Sequence, residues 1–228
     1  MVDKVMVVVP AYNEEKHIEE VVTELCERNY EVVVVNDGSE DRTREILKKL
    51  KSKYRDKLHV YHHIVNAGLG VALKTGIKAA LRKNADYIVT FDADGQHDPD
   101  DIQKLLNVLK RDKADVVIGK RNFSEMPFSR RIGNIILNFI TFLFYGLHVN
   151  DSQCGLRAFT RNAAEKIEIY SRGYSVSSDI IGEIKRKNLK IEEVNIKTLY
   201  TEYSLNKGTN PIEGIKIALR IMINRFRR

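Results

Sequence analysis

Short apolar runs rich in valine and isoleucine recur along the first half of the chain, and they restrict its possible folds more than any other feature. A continuous apolar run of about four to eight residues indicates a strand that is buried on both faces. Stretches with the apolar spacing of a helix separate these runs. Strands and helices that alternate in this way predict an α/β fold, with a doubly wound, mostly parallel sheet and helices on both faces. The predicted strands cover residues 5–9, 31–35, 58–61, 86–91 and 115–119.

The second half of the chain is predicted to be mostly helical. Residues 127–149 are the most apolar stretch, and their polar residues repeat every three or four positions along one side. We expect an amphipathic helix that lies in a membrane interface, because the polar stripe argues against a membrane span. A core helix packed against the sheet is the alternative. Further helices are predicted over 161–170 and 177–187, a strand over 191–196, and a last helix from Pro211.

The length and the charge narrow the class of protein. The chain has 228 residues, 43% of them hydrophobic, with no repeat or linker, so we expect a single domain over residues 1–228. The net charge is +7, and the predicted last helix carries five cations. This basic terminus suits an anionic membrane surface, and a solvated basic tail is the alternative.

The cysteines and the N-terminus indicate a compartment. Cys26 and Cys154 are the only cysteines and lie far apart in the sequence, without metal-type spacing. A disulfide framework is therefore not expected, and a reducing cytoplasm is the default. Residues 1–4 lead directly into the first predicted strand, so we expect no signal peptide.

Polar residues follow the predicted strands at the points where the strands end. Residues 10–14 follow the first strand, 37–39 the second, 92–94 the fourth and 120–121 the fifth. In an open α/β sheet, ligands bind in the crevice outside the carboxyl ends of the strands. The sequence therefore predicts one functional site along this edge of the sheet.

Asp92 and Asp94 end the fourth strand, with one residue between them. Two carboxylates this close repel each other, and a divalent cation would remove that cost. Carboxylate oxygens suit Mg²⁺ or Mn²⁺, and Mg²⁺ is often held by one or two carboxylates together with substrate phosphates. A metal–diphosphate site is the first hypothesis, and a solvated acidic turn is the alternative. For Asp98, Asp100 and Asp101 we favour a role at the start of the next helix.

Five segments match the motifs of a known family in order and spacing: residues 8–14, 36–39, 66–70, 92–99 and 119–121. On these segments the chain resembles the large inverting family of nucleotide-sugar glycosyltransferases with the GT-A fold. Within that family it is similar to the dolichyl-phosphate mannose/glucose synthase branch. The match extends over roughly residues 4–205 and is more specific in the first half than after residue 122.

The resemblance implies a donor site for a nucleotide sugar. Asp37 is similar to the family's aspartate that hydrogen-bonds the nucleotide base. The family usually has a second aspartate where this chain has Asn36, which leaves the base or ribose contact open. Lys207 is expected to close over the donor diphosphate. The implied donor-binding residues are Pro10, Tyr12, Glu14, Asp37, Asp92 and Lys207.

The resemblance also implies a divalent cation, Mg²⁺ or Mn²⁺. Asp92 and Asp94 resemble the family's metal-binding Asp-x-Asp motif, and Gln96 is implied as a further ligand. The cation bridges the diphosphate and offsets the charge that grows on the leaving nucleoside diphosphate. Asp94 and Arg121 are the implied catalytic residues, and neither aspartate is expected to act as a proton-transfer base.

The acceptor in this branch is a polyprenyl phosphate, whose oxygen is a nucleophile at neutral pH without a strong general base. Cations are needed to bring two anionic substrates together, and a guanidinium group fits phosphate with two hydrogen bonds. Residues 151–157 look like the family's Asp…Gly-Phe-Arg turn, with Leu156 in place of phenylalanine. For each cation, a surface charge without a role is the alternative. The implied residues for the acceptor phosphate are Arg121, Arg131, Asn134 and Arg157.

The resemblance divides the single domain into two halves. We expect residues 1–122 to bind the nucleotide sugar, and residues 123–228 to bind the acceptor and the membrane interface. The protein is expected to dock on an anionic membrane surface from the cytoplasm, and nucleic acid is not expected as a partner. The donor stays open between GDP-linked mannose, UDP-linked glucose and UDP-linked N-acetylglucosamine.

Three other functions compete with this one. Transfer to a sugar hydroxyl needs a general base, for which Asp179 at a predicted helix start is the candidate; for Asp179 we favour a helix N-cap. A nucleotidyltransferase normally carries a Gly-rich, basic loop after the first strand, whereas residues 10–14 are acidic and contain no glycine. A basic module that binds membranes or nucleic acid has no need for paired carboxylates.

Overall fold

One sheet of seven strands organises the described part of the chain. The computed structural model describes residues 3–111, 113–124, 126–171, 173 and 175–199. The strands are β1 (Val5–Ala11), β2 (Glu31–Asn36), β3 (Leu58–His62), β4 (Tyr87–Thr90), β5 (Val116–Arg121), β6 (Arg157–Thr160) and β7 (Ile191–Ile196). Their order across the sheet is β3-β2-β1-β4-β6-β5-β7. Neighbouring strands run parallel, except that β6 is antiparallel to both β4 and β5.

Helices connect most of these strands. They are α1 (Ile18–Glu27), α2 (Thr43–Tyr54), α3 (Leu69–Arg82), α4 (Asp100–Arg111), α5 (Phe128–Tyr145), α6 (Arg161–Lys166) and α7 (Val176–Arg186), and a 3₁₀ turn covers Arg55–Lys57. The predicted α/β fold with a mostly parallel sheet is therefore confirmed. The five strands predicted in the first half all form, with bounds that differ by one or two residues, and β7 forms where residues 191–196 predicted it.

The core lies where the apolar strands meet the helices. Residues 7–9 of β1 and 32–35 of β2 are 0% exposed, which explains why their sequence is continuously apolar. Helix α3 packs on β1 and β2. This close packing depends on Gly76, because a Cβ atom there would lie well inside 3.0 Å of Val8 Cγ1.

Strand β6 was not predicted. The motif predicts a turn over residues 151–157, but Arg157 begins a strand that pairs with Thr90 of β4 and with Ile118 of β5. A strand of four residues that begins with arginine shows no apolar run, and its formation depends on partners far away in the sequence. The helix predicted over 161–170 also differs, since it ends at Lys166.

Helix α5 packs its polar side against the protein. Asn138 Oδ1 accepts hydrogen bonds from the backbone N and the Oγ of Ser152, at 3.0 and 2.7 Å. Thr141 Oγ1 lies 3.0 Å from Ser178 Oγ of α7, and Tyr145 donates to Asp179 of α7 at 3.3 Å. The polar stripe predicted on this helix therefore forms the contact with residue 152 and with α7.

The apolar side of α5 consequently faces outward. Seven large apolar side chains of this helix are between 42% and 77% exposed: Phe128, Ile132, Ile135, Ile136, Phe139, Phe142 and Leu143. In the described part of the chain, no helix combines the length and the apolar character needed to cross a bilayer. Among the described side chains of α5, only Leu137 and Thr141 are buried, at 8% and 1% exposure. The alternative of a core helix that buries its apolar residues is therefore wrong.

Candidate active site

Two carboxylates stand directly after β4, where the sheet changes from parallel to antiparallel pairing. The Asp92 side chain is 38% exposed and accepts a hydrogen bond from His97 Nε2 at 3.1 Å. His97 is itself buried, with its ring edge-on to Phe91 at 5.5 Å between centroids. The backbone N of Gln96 donates to Asp94 Oδ1 at 3.1 Å, and the side-chain amide of Gln96 donates to Asp94 Oδ2. The three predicted metal ligands therefore form one turn.

The two carboxyl groups differ in their electrostatics. Burial raises the pKa of Asp92, but the hydrogen bond and charge of His97 and the charges of Arg157 and Arg121 outweigh it, so that this pKa lies below its usual value. Burial and the negative charge of Asp92 raise the pKa of Asp94 above its usual value. The ionised pair is thus electrostatically unfavourable, and a bound cation would relieve the repulsion.

The donor set of this turn fits a hard cation. Asp92, Asp94 and Gln96 offer carboxylate and amide oxygens, which suit Mg²⁺ or Mn²⁺. Among the described residues, no group of three or more His, Cys, Asp and Glu side chains could hold a metal ion. Mg²⁺ held by one or two carboxylates often takes further ligands from substrate phosphates.

The turn before β6 packs tightly on the Asp92 carboxylate. Thr90 Oγ1 donates to the carbonyl of Gly155 at 2.7 Å, and a Cβ atom at residue 155 would lie well inside 3.0 Å of the Asp92 carboxylate. This turn also positions Arg157, which is 1% exposed and donates through Nη2 to the Ser152 carbonyl at 3.1 Å. The buried, positively charged guanidinium group of Arg157 therefore lies close to the Asp92 carboxylate.

Arg121, at the end of β5, forms a bidentate salt bridge with Asp151. Its Nε donates to Asp151 Oδ2 at 2.7 Å and its Nη2 to Oδ1 at 2.8 Å. Asp151 is 0% exposed, and Glu193 of β7 holds the same turn by accepting from the backbone N of Asn150 at 2.9 Å and of Asp151 at 3.2 Å. The predicted acceptor residue Arg121 is thus fixed in orientation.

A cleft of about 470 Å³ opens beside Arg121 at the ends of β5 and β7. Two cations, three amides and two apolar side chains line it: Lys120, Arg121, Asn122, Phe123, Asn150, Asn195 and Ile196. Adjacent strands lie about 4.8 Å apart, so two strand spacings, of the order of 10 Å, separate β5 from β4 and its aspartates. A polar, cationic cleft therefore lies at the same end of the sheet as Asp92 and Asp94.

Four of the predicted donor residues, Pro10, Tyr12, Glu14 and Asp37, lie at the ends of β1 and β2. Pro10 is buried, Tyr12 is 38% exposed and Glu14 is 8% exposed. The Glu14 backbone N donates to Thr43 Oγ1 at 2.9 Å, which ties the loop after β1 to the start of α2. These residues flank β4 on the side away from β6 and Arg157.

Asp37 lies deeper than the sequence analysis implied. Its side chain is 3% exposed. Oδ1 accepts from the backbone N of Ala67 at 3.0 Å and pairs with His63 Nδ1 at 2.6 Å, and Oδ2 accepts from the backbone N of Gly68 at 2.7 Å. Asp37 therefore holds the turn that opens α3, and its direct contact with a nucleotide base stays a prediction.

The chain after β7 returns to the carboxylate turn. Thr198 forms an antiparallel bridge with His97, and the backbone N of Leu199 donates to the Gln96 carbonyl at 3.0 Å. The described residues end here, so the predicted contact of Lys207 with the donor lies outside them.

The expectation for Asp100 and Asp101 agrees with the structure, where both lie in the first turn of α4.

The remaining candidates lie on α5 and α7. Arg131 is exposed near the start of α5, and Asn134 donates to Met126 Sδ at 3.1 Å. The N-cap role favoured for Asp179 is wrong, because Ser175 is the N-cap residue of α7. Asp179 lies inside the helix, is 0% exposed and accepts hydrogen bonds from the hydroxyls of Tyr145 and Ser171.

Comparison with known proteins identifies the family. Residues 6–168 match the sequence profile described as Glycosyl transferase family 2. The chain belongs to this family. The protein is accordingly a glycosyltransferase, and the resemblance inferred from the motifs is confirmed.

Relatives of this family 2 enzyme include proteins named for lipid-phosphate acceptors. A UDP-N-acetylglucosamine–dolichyl-phosphate N-acetylglucosaminyltransferase from Methanococcus voltae is 41% identical over 98% of this chain and 97% of the relative. A polyprenol monophosphomannose synthase from Mycolicibacterium smegmatis is 29% identical over 93% of this chain and 84% of the relative.

A solved structure supports the fold of the family 2 domain. Glucosyl-3-phosphoglycerate synthase from Mycobacterium tuberculosis, in complex with Mn²⁺, UDP and phosphoglyceric acid, matches with a TM-score of 0.72 at 19% identity. The match covers 98% of this chain and 78% of the synthase. The GT-A-type architecture expected from the motifs is thereby confirmed.

Some site residues of this family 2 enzyme were missed. His97 stood within a quoted motif but received no role, although a histidine five residues after Asp92 could have suggested a partner. His63 was not singled out, although it lies three residues before the start of the matched segment 66–70. Its contact with Asp37 joins residues that are 26 positions apart, which no local pattern indicates.

Proposed function

We propose that this enzyme transfers a sugar from a nucleotide-sugar donor to a polyprenyl phosphate, with inversion at the anomeric carbon. The observation that carries the acceptor class is the orientation of α5, whose apolar side faces outward while its polar side packs on the protein. A lipid acceptor must be reached at a membrane surface, and this helix offers the apolar area for it. The names of the two relatives support the same class.

The donor diphosphate is proposed to bind at the turn after β4. Asp92, Asp94 and Gln96 would hold Mg²⁺ or Mn²⁺, which offsets the charge of a leaving nucleoside diphosphate. His97 orients the Asp92 carboxylate through its hydrogen bond. Pro10, Tyr12, Glu14 and Asp37, at the ends of β1 and β2, are proposed to receive the nucleoside. Lys207 completes this set as a prediction from the sequence alone.

The acceptor phosphate is proposed to approach from the side of β5 and β6. A phosphate oxygen is anionic at neutral pH, so attack on the anomeric carbon requires positive charge more than a general base. Arg121, held by Asp151, and Arg131 and Asn134 on α5 are proposed to bind that phosphate. Arg157 is nearly fully buried, and it is proposed to contribute its charge close to Asp92. An α-linked donor would give a β-linked lipid-phosphate sugar.

Peripheral membrane association is part of this proposal. The exposed apolar side of α5 would lie in the interface of an anionic membrane, as amphipathic helices do. Arg131 lies exposed on the same helix, where it could meet lipid phosphates. The basic residues after Pro211, which the sequence analysis assigned to the same surface, lie outside the described residues.

A panel assay tests the reaction. The protein is incubated with Mn²⁺, a short polyprenyl phosphate and each of UDP-N-acetylglucosamine, UDP-glucose and GDP-mannose, and release of the nucleoside diphosphate is followed. We expect one donor to react, only with the lipid phosphate present and only with the metal. Release that does not depend on the lipid phosphate would overturn the acceptor, and release unchanged by EDTA would overturn the metal site.

A matched pair of variants tests the carboxylate turn. Asp94→Asn should lower turnover by about a hundredfold or more, a loss typical of groups that stabilise developing charge. Asp100→Asn is the control, because that side chain is 68% exposed and pairs with Arg28 on the surface. Equal turnover of the two variants would contradict the role of Asp94.

A further inference from the structure

We propose that His63 is a positioning residue for donor binding, which acts through Asp37 on the turn of residues 66–68. This inference rests on the proposed function, since it assigns that turn to the nucleotide-sugar pocket. His63 makes no contact with the carboxylate turn after β4 in the described hydrogen bonds. Substitution of His63 should therefore change the affinity for the nucleotide and leave metal binding at Asp92 and Asp94 unchanged.

The contacts of His63 link three elements. Its Nδ1 lies 2.6 Å from Asp37 Oδ1, at the end of β2, and its Nε2 lies 3.0 Å from Thr75 Oγ1, inside α3. The His63 side chain is 18% exposed and that of Asp37 is 3% exposed. A hydrogen bond between groups this well shielded from water fixes their relative orientation. The imidazole thus connects the Asp37 carboxylate to the body of α3.

Asp37 in turn hydrogen-bonds the backbone of the turn that precedes α3. Its two carboxylate oxygens accept from the backbone N of Ala67 and of Gly68. Gly68 has φ = 97°, a conformation that side chains rarely adopt, and it immediately precedes the first residue of α3. Without the carboxylate in place, both N–H groups would lose their partner. His63 therefore helps to determine where this turn stands.

The same turn packs on the loop that follows β2. A Cβ atom at Gly38 would lie 2.6 Å from the backbone N of Asn66 and 2.9 Å from the Val65 Cα. Ser39 Oγ accepts from the backbone N of Asn13, next to Tyr12, at 3.0 Å. The loops after β1, β2 and β3 are thereby joined at one place. A shift of the turn would therefore also displace Tyr12, a predicted donor-binding residue.

The chemistry of imidazole suits this bridging role. In the tautomer with a proton on Nδ1, His63 donates to Asp37 and accepts from the Thr75 hydroxyl. Asparagine can place an N–H group near the position of Nδ1, whereas glutamine reaches toward the position of Nε2. The two substitutions therefore separate the bond to Asp37 from the bond to Thr75. Only the former is required by the proposal.

The test measures nucleotide binding and steady-state kinetics in the full chain. Binding of UDP and GDP is measured by calorimetry with and without Mn²⁺, and the KM for the donor is measured with the donor that reacts. We expect His63→Gln to raise the Kd and the KM by about tenfold, the effect of losing one charged hydrogen bond. The kcat at saturating donor should stay within about threefold. His63→Asn should restore most of the binding.

A second histidine of the same region provides the control. His59 lies on β3, has a side chain 17% exposed and faces Glu31 at 3.6 Å, so it matches His63 in exposure and in having a carboxylate partner. His59→Asn should leave Kd and KM unchanged. Thermal unfolding of all variants is recorded, and His63→Ala, which also removes the partner of Asp37 Oδ1, serves if His63→Gln does not fold; it should raise the Kd by a similar factor, and an unchanged Kd would overturn the inference.

The outcomes separate the two proposals. If the wild-type protein binds neither UDP nor GDP, the proposed function fails together with this inference. If the wild type binds but His63→Gln binds equally well, the inference alone is overturned. A loss of kcat without a change in KM would also overturn it, and so would a loss in His63→Gln that His63→Asn shares in full.

Discussion

Gly155 determines how closely the second half of the chain approaches the Asp92 carboxylate. The contact leaves no room for a side chain at residue 155. The same turn receives a hydrogen bond from Thr90, so it is anchored on β4, the strand that carries the aspartates. The smallest residue at this position thus allows the turn before Arg157 to pack against the Asp92 carboxylate.

Gly155→Ala should abolish most of the activity while the protein stays folded. The added methyl group would displace the Asp92 carboxylate, and a displacement of about 1 Å at a reacting centre can lower the rate by about a hundredfold. Turnover and far-UV circular dichroism are the measurements. Gly133→Ala is the control, because nothing lies within 4 Å of a Cβ atom there. Normal turnover of Gly155→Ala would contradict the packing described.

The two thiols should be unreactive in the native protein. Cys26 is 1% exposed and Cys154 is 0% exposed. Burial raises the pKa of Cys26 to about 11. Burial, with the negative charge of Asp151, raises the pKa of Cys154 to about 12. Because the thiolate is the reactive form, both groups stay protonated and unreactive at about pH 8.

Titration with a chromogenic disulfide reagent checks the thiols. We expect no fast equivalent in the native protein and two equivalents after unfolding in guanidinium chloride, since the chain contains two cysteines. One rapidly reacting equivalent in the native protein would show that a described core position is open to solvent.

Part of the site could be predicted residue by residue. Asp92 and Asp94 stand out because two charges end an apolar run, and the strand positions then bring Tyr12 and Asp37 to the same edge. The burial of Arg157 and the hydrogen bond between His63 and Asp37 could not be predicted. Both depend on contacts between distant segments, and a sequence pattern reports mainly local periodicity.

At the scale of elements, β6 shows where periodicity fails. Its four residues pair antiparallel with β4 and β5, which lets the turn before it reach Asp92. The long valine-rich strands were predictable because burial on both faces requires a continuous apolar run. A short strand between two others is specified by its neighbours, so its own sequence carries little signal.

Helix α5 was predicted as amphipathic, but its orientation could not be read from the sequence. A polar stripe can face water or a polar partner, and here it faces Ser152 and Ser178. The partner residues lie on other elements, so only the tertiary structure decides between the two. The exposed apolar side is the consequence, and it is the basis for proposing that α5 lies on a membrane.

Charged substitutions on the apolar side of α5 should weaken membrane binding. Phe139 and Leu143 are 61% and 65% exposed. Phe139→Glu and Leu143→Glu should each lower the partitioning onto anionic phospholipid vesicles by about tenfold, because burying such a side chain contributes about 1.5–3 kcal/mol. Cosedimentation with the vesicles is the measurement.

The control for this experiment is Ile64→Glu, which also places a charge at an apolar residue that is 100% exposed. Ile64 lies after β3, far along the sheet from α5, so its substitution should leave partitioning unchanged. Equal partitioning of Phe139→Glu and the wild-type protein would show that α5 does not contact the bilayer.

At the scale of the whole molecule, both halves of the chain contribute to one sheet. Strands β1 to β5 come from residues 1–122, and β6 and β7 come from the second half. Strand β6 lies between β4 and β5, so the second half is inserted into the sheet of the first. Among the described residues, Pro10, Tyr12, Glu14 and Asp37 lie on one side of β4, and Arg121 and Arg157 lie on the other.

The fold class was predictable because it follows from the order of strands and helices in the first half. The second half was less predictable, since its strands are short and its most apolar helix does not bury its apolar side. The motifs extended the prediction from fold to family. They did so because the residues that bind phosphate and metal must stand at fixed strand ends, whatever the rest of the chain does.

The acceptor is tested most directly by following the sugar itself. A donor labelled in the sugar is incubated with the protein, Mn²⁺ and polyprenyl phosphate in vesicles, and the mixture is extracted with organic solvent. We expect the label to move into the organic phase as a lipid-phosphate sugar, and to stay in the aqueous phase when the lipid phosphate is replaced by the free polyprenol. Label that remains aqueous with every donor, or that is transferred equally to the free alcohol, would contradict a polyprenyl phosphate acceptor.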